Sequence, residues 1–160
     1  MSLNVVCQFD ALISWYQVVV HDEAAGDGYN GWLPEHVRQG FSWRPGSVSF
    51  ATLDNSIMQC TVALASHPTM HADARRAFSV PFKVSSASSL YVAASLDRWN
   101  IRLPAGDYAL YFQHGVSIPD HRLWGELVFV PEPNAVARVL VADAELNPPD
   151  PLLLSAQPAL

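Results

Sequence analysis

The residues best suited to chemistry in this chain are His67, His71 and Asp73 in the stretch HPTMHAD, because histidine and aspartate are common metal ligands. A His-x-x-x-His spacing places two imidazoles on one face only if the segment is helical. Pro68 follows the first histidine and turn-forming residues flank the stretch, so we predict a solvated loop, with no metal and no other cofactor. A metal-dependent hydrolase that uses these three residues stays as an alternative.

Other catalytic signatures are missing from the sequence. There is no glycine-rich phosphate loop and no Gly-x-Ser-x-Gly nucleophile elbow, and neither Cys7 nor Cys60 has a neighbouring histidine in sequence. The acidic residues are scattered, and nothing in their spacing fixes two carboxylates as an acid and a base. The sequence therefore predicts a protein without enzymatic activity.

The charge balance and the lengths of the apolar runs each argue against one class of partner. The 160 residues include nine Lys and Arg and fifteen Asp and Glu, for a formal net charge of -6. So acidic a chain is poorly suited to gripping a phosphate backbone, and no direct nucleic-acid binding is expected. No apolar run approaches the roughly 20 residues that cross a bilayer, so no membrane span is expected. With no signal peptide visible and only two cysteines, a cytoplasmic location is expected.

Alternation of apolar and polar residues with a period of two dominates the chain, which is typical of strands. It is clearest in 57–64 and in 78–84. In the second of these, Pro81 predicts an edge strand, because proline donates no ladder hydrogen bond. The stretch 12–21 is apolar on both faces and is predicted to be one strand that is buried on both sides.

Turn-forming residues separate these runs at short spacing. We therefore predict an all-β fold, a two-sheet β-sandwich of about eight to nine mostly antiparallel strands with one short helix. It is predicted to fill residues 1–146, followed by a proline-rich C-terminal tail over 147–160. A turn at Ala105 and Gly106 is predicted to join two of the strands as a hairpin.

The single helix is predicted between Trp32 and Phe41. Proline at its first turn and a glycine at its end are typical helix boundaries, and Leu33 and Val37, four residues apart, are predicted to face the core. Directly before it, the Gly, Asp and Asn residues of 26–31 predict a mobile surface loop.

The order of several motifs resembles that of a known family. Trp32 stands before a short helix with Gly40 after it, VPF follows at 80–82, and LPAGDY follows at 103–108. In this order the motifs resemble the competence protein J family over about residues 11–130. The resemblance implies a small protein without catalysis that binds and blocks a nuclease of DNA uptake.

A nuclease inhibitor needs negative charge and aromatic anchors. A site built to receive phosphates is electropositive or holds a divalent metal, so carboxylates can compete there and accelerate the encounter, while buried aromatic residues supply affinity. The stretch 21–35 offers both features, but it also fits a solvated acidic loop beside a buried tryptophan. The other alternative is a small-ligand or carbohydrate-binding module of the same fold. The candidate partner-binding residues are Asp22, Glu23, Asp27, Tyr29, Trp32, Glu35 and Trp43.

Overall fold

The strands and helices of this protein follow from the alternation and the turn residues of its sequence. The computed structural model describes residues 3–26, 28–118 and 120–160. The described elements are, in chain order, β1 (Asn4–Leu12), β2 (Gln17–Asp22), a 3-10 helix (Glu23–Ala25), α1 (Pro34–Gln39), β3 (Phe41–Arg44), β4 (Ser47–Ala51), β5 (Ile57–Leu64), β6 (Arg76–Val84), β7 (Leu90–Ala94), β8 (Asp97–Ile101), β9 (Gly106–Val116), β10 (Leu123–Pro131) and β11 (Arg138–Val141).

These strands form two sheets. Sheet A has the order β1-β5-β10-β9-β6-β11, and sheet B has the order β3-β4-β2-β7-β8. Among the described strands, β5 and β10 are the parallel pair, and the other neighbours are antiparallel. The predicted mostly antiparallel, two-sheet fold is confirmed, with eleven strands among the described residues where eight to nine were expected.

The core lies between the two sheets, on the faces that the alternation predicts. Met58 and Cys60 of β5 are fully buried there. Phe50 of sheet B packs between two rings of sheet A, with centroids 5.9 Å from Phe78 and 4.7 Å from Phe112. Burying each such ring contributes about 1.5–3 kcal/mol, so this aromatic cluster fixes how the sheets face each other.

The stretch 12–21 is not one strand, and that prediction is wrong. β1 belongs to sheet A and β2 to sheet B, so the chain crosses between the sheets here. It does so in a two-residue turn, Trp15 and Tyr16, closed by a bridge between Ser14 and Gln17. The φ angles of the two turn residues are 60° and 52°, which lie in the left-handed region.

The predicted edge position of β6 is also wrong, because β6 lies between β9 and β11. The proline is tolerated because β11 pairs only with the first part of β6, from Ala77 to Ser79. Pro81 lies beyond that pairing, where the strand has one neighbour.

The turn at Ala105 and Gly106 does not form a hairpin, since β8 lies in sheet B and β9 in sheet A. The chain crosses between the sheets at this corner. The Tyr108 hydroxyl closes it by donating a hydrogen bond to the carbonyl of Pro104 at 2.6 Å.

Helix α1 forms where it was predicted and ends at Gly40, whose φ of 89° suits glycine. Leu33 and Val37 are 51% and 60% exposed, so the prediction that they face the core is wrong. The buried side chains are His36 and Gln39, which hydrogen-bond backbone groups of the adjoining segments. No described helix has the length and apolar character needed to cross a membrane.

The proline-rich stretch 147–160 lies against the edge of sheet B. The backbone amide of Ala156 donates to the carbonyl of Trp43 at 2.9 Å, and the backbone amide of Gly31 donates to the backbone carbonyl of Gln157 at 2.8 Å. Because β3 is an edge strand, the stretch covers backbone groups that would otherwise stay unpaired.

Candidate partner-binding surface

The segment 22–35, which holds most of the candidate residues, lies on the outer face of sheet B. The Ser47 hydroxyl donates to the carbonyl of Gly28. The Asn30 side-chain amide donates to the carbonyls of Ser42 at 2.9 Å and Ser47 at 3.3 Å. The predicted surface position of this loop is wrong for Gly28 and Asn30, which are buried against the sheet.

Asp22 is buried in a serine cluster at the end of β2. Its carboxylate accepts hydrogen bonds from the Ser85 hydroxyl and amide at 2.6 and 2.7 Å, the Ser89 hydroxyl at 2.7 Å and the Ala24 amide at 2.9 Å. Burial alone would raise the pKa of Asp22, but these hydrogen bonds outweigh it and hold the pKa below its ordinary value. Asp22 therefore ties three segments together and does not offer its carboxylate to a partner.

The acidic side chains that do reach solvent are Glu23 and Glu35. Glu23 lies 3.9 Å from the Arg98 guanidinium, which in turn lies 3.8 Å above the ring of Tyr91. Such an exposed pair contributes little to stability, so a partner could compete for either member. Asp27 lies outside the described residues.

The two aromatic candidates of this segment direct their polar atoms toward the end of β2 that lies opposite Asp22, and the Trp32 indole reaches Gln17, about 17 Å along the strand from Asp22. The Tyr29 hydroxyl donates to the carbonyl of Ser95 at 3.0 Å. The Trp32 indole donates to the side-chain oxygen of Gln17 at 3.2 Å. Both rings are half-buried, and both adjoin the turn that connects β1 to β2.

The most exposed of the described aromatic side chains is Trp15 in that turn, at 85%. Leu96, in the turn between β7 and β8, is 99% exposed. Trp15, Leu96 and Tyr29 line one depression of about 600 Å³. Sequence reasoning missed Trp15, because neither glycine nor asparagine marks the turn and both faces of the run are apolar.

Trp43 lies apart from these residues, in a groove of about 650 Å³ between the sheets at the Asp22 end of β2. Its indole donates to the carbonyl of Pro81 at 2.7 Å. The candidate residues are thus divided between two ends of the sandwich. The groove lining includes Asp22, Trp43, Phe82, Lys83, Asp107, Tyr108 and Glu132.

The stretch HPTMHAD is a loop, as predicted, and lies against the outer face of sheet A. His71 Nε2 is 3.1 Å from Glu126 Oε2, and the His71 backbone amide donates to the side chain of Gln113 at 2.9 Å. His67 and Asp73 are exposed. In the part of the chain that the structure describes, no group of three or more His, Cys, Asp and Glu is placed to hold a metal ion.

The fold is an all-β sandwich with aromatic and acidic side chains presented on its turns and outer face. The chain belongs to the competence protein J (ComJ) family, whose model matches residues 10–130. The family resemblance seen in the order of the motifs is confirmed.

Two solved structures are similar to this chain. ComJ from Bacillus subtilis, an inhibitor of the DNA degrading activity of NucA, is 20% identical with a TM-score of 0.72, over 82% of this chain and 100% of that one. Crocagin biosynthetic gene J is 14% identical with a TM-score of 0.57, over 83% of this chain and 100% of that one. At these identities the likeness concerns the fold. None of the curated proteins compared by sequence matches the chain.

Proposed function

We propose that this protein binds a DNA-degrading nuclease and blocks it, without catalysing a reaction itself. The observation that carries the proposal is family membership over residues 10–130. The whole length of Bacillus subtilis ComJ, an inhibitor of NucA, has a counterpart in this fold. An inhibitor needs only a complementary surface, so the proposal requires no catalytic group.

Charge and aromatic exposure support this proposal. A net charge of -6 favours encounter with the electropositive site of a nuclease, and the rate gain falls as salt screens it. We propose Glu23, Tyr29, Trp32 and Glu35 as contact residues, with Asp27 remaining a prediction. Asp22 acts by fixing the segment that carries them. Cys7 and Cys60 are free thiols, which suits our proposal that the inhibition occurs in the cytoplasm.

The groove beside Trp43 favours a second candidate, a small-ligand or carbohydrate-binding module. Its volume of about 650 Å³ lies in the range of ligand cavities. Family membership favours the nuclease inhibitor over this candidate.

A DNA-degradation assay tests the proposed function. The purified protein is mixed with the NucA-type nuclease of its own host, or with NucA of Bacillus subtilis, and plasmid cleavage is followed. We expect cleavage to stop when the protein is equimolar with the nuclease. Excess divalent metal is the control, because an acidic protein that merely removed the metal would lose its effect there. Undiminished cleavage at a large molar excess would contradict the proposal.

A further inference from the structure

We propose that the turn formed by Trp15 and Tyr16 is the anchor that this protein presents to its nuclease, an inference that rests on the proposed function. Trp15 is 85% exposed and Tyr16 is 54% exposed. Tryptophan and tyrosine are the residues most enriched among those that dominate binding energy in protein interfaces. Both are presented at the tip of a two-residue turn, where a partner can surround them.

The backbone of this turn is held in a conformation that its residues disfavour. A two-residue turn with both φ angles positive favours asparagine and glycine, and bulky residues are outliers there. The loop between β4 and β5 enforces it: the Tyr16 amide donates to the Asn55 side chain and the Tyr16 carbonyl accepts from Thr52, both at 2.8 Å. Backbone strain that the surroundings enforce clusters at ligand-contacting sites.

A second tight turn lies beside the first and completes the surface. Ala94 pairs with Asp97, so Ser95 and Leu96 form the turn between β7 and β8, with Ser95 at a φ of 54°. The hydroxyls of Ser14 and Ser95 lie 3.3 Å apart and join the two turns. Trp15 and Leu96 thus flank the depression of about 600 Å³ that Tyr29 also lines. The Trp15 side chain can enter a pocket of the partner, and the depression can receive an apolar side chain of the partner.

The charges around this surface specify the kind of partner. Three loops meet here, residues 13–16, 52–56 and 95–97, and their charged residues are Asp54 and Asp97, while the Arg98 that follows is paired with Glu23. Both carboxylates are exposed. An acidic rim around an aromatic centre complements the basic face of a nuclease. It also disfavours a second copy of this chain, because the two rims would repel each other.

The test is the affinity of Trp15→Asn for the host's NucA-type nuclease. Asparagine suits the left-handed backbone, so the variant should fold, and we expect its Kd to rise at least about 30-fold. Leu96→Asn should weaken binding in the same direction. The matched control is Val136→Asn, an exposed apolar residue in the loop after β10, which should stay within about twofold of the original Kd.

Asp54→Asn combined with Asp97→Asn should slow association at low salt and leave dissociation nearly unchanged. If the unaltered protein fails to bind the nuclease, the proposed function is wrong. If it binds, and Trp15→Asn and Leu96→Asn bind equally well, the nuclease inhibitor stands and the anchor is overturned.

Discussion

Mild acid should destabilise this protein through one histidine of its core. His114 of β9 is fully buried, and its ring centroid lies 4.7 Å from that of Phe112 and 6.2 Å from that of Phe78. Among the residues that the structure describes, neither of its ring nitrogens has a hydrogen-bond partner. Burial, aided by the nearby charge of Arg76, lowers the pKa of His114 to about 3.

The size of the effect follows from proton linkage. An unfolded histidine has a pKa of about 6.5, so between that value and about 3 the unfolded chain binds a proton that the folded protein excludes. The stabilisation is therefore complete above about pH 6.5 and is lost as the pH falls towards the folded pKa. At about 1.4 kcal/mol per pH unit, lowering the pH to about 5 costs about 2 kcal/mol.

Urea unfolding of the wild-type protein and of His114→Leu, each at about pH 7 and about pH 5, measures this term. We expect the wild type to lose about 2 kcal/mol more than the variant, because leucine fills a similar volume and does not titrate. His67→Asn, which changes an exposed loop histidine, should behave like the wild type. An equal loss in the wild type and His114→Leu would show that His114 does not cause the acid sensitivity.

Three further predictions concern stability. Trp15→Asn should raise Tm by about 2–4 °C in calorimetry, because it relieves about 1 kcal/mol of left-handed strain; a lower Tm would contradict the strain. Asp22→Asn should lower the free energy of unfolding at about pH 7 by about 2 kcal/mol or more in urea titration, since an amide cannot accept all four hydrogen bonds. The pKa of Asp22 is depressed, so its stabilisation is present above about pH 4 and should fade as the pH falls below that; a pH-independent loss would contradict this. Deleting 153–160 uncovers the edge of sheet B and should cause self-association in light scattering, whereas a monomeric product would show that the edge needs no cover.

Much of the sandwich is predictable from the sequence because burial on one face imposes a period of two. β5 and β6 show it: all of their predicted inward residues except the half-buried Leu64 are buried, although Ala63 and Ser79 on the opposite faces are buried too. The turn at Trp15 is not predictable in this way. Its positive φ angles arise from hydrogen bonds to Thr52 and Asn55, which lie far along the chain.

The sequence shows that the candidate surface is rich in acidic and aromatic residues, but it does not show which of them are exposed. Asp22 has the same sequence character as its exposed neighbour Glu23, and its burial depends on Ser85 and Ser89, more than 60 residues away. Likewise, Tyr29 comes to lie beside Ser95 only because the segment that carries it crosses sheet B. Contacts of this kind are set by the packing of distant segments, which one sequence does not reveal.

A stoichiometric titration of nuclease activity tests most directly whether this protein blocks a nuclease by binding it. A NucA-type nuclease is held well above the expected Kd in excess divalent metal, and residual DNA cleavage is measured as this protein is added. We expect a linear fall that ends near one equivalent, whereas Trp15→Asn should give a shallower curve that needs more than one equivalent. Cleavage that stays constant to many equivalents of the unaltered protein would contradict it.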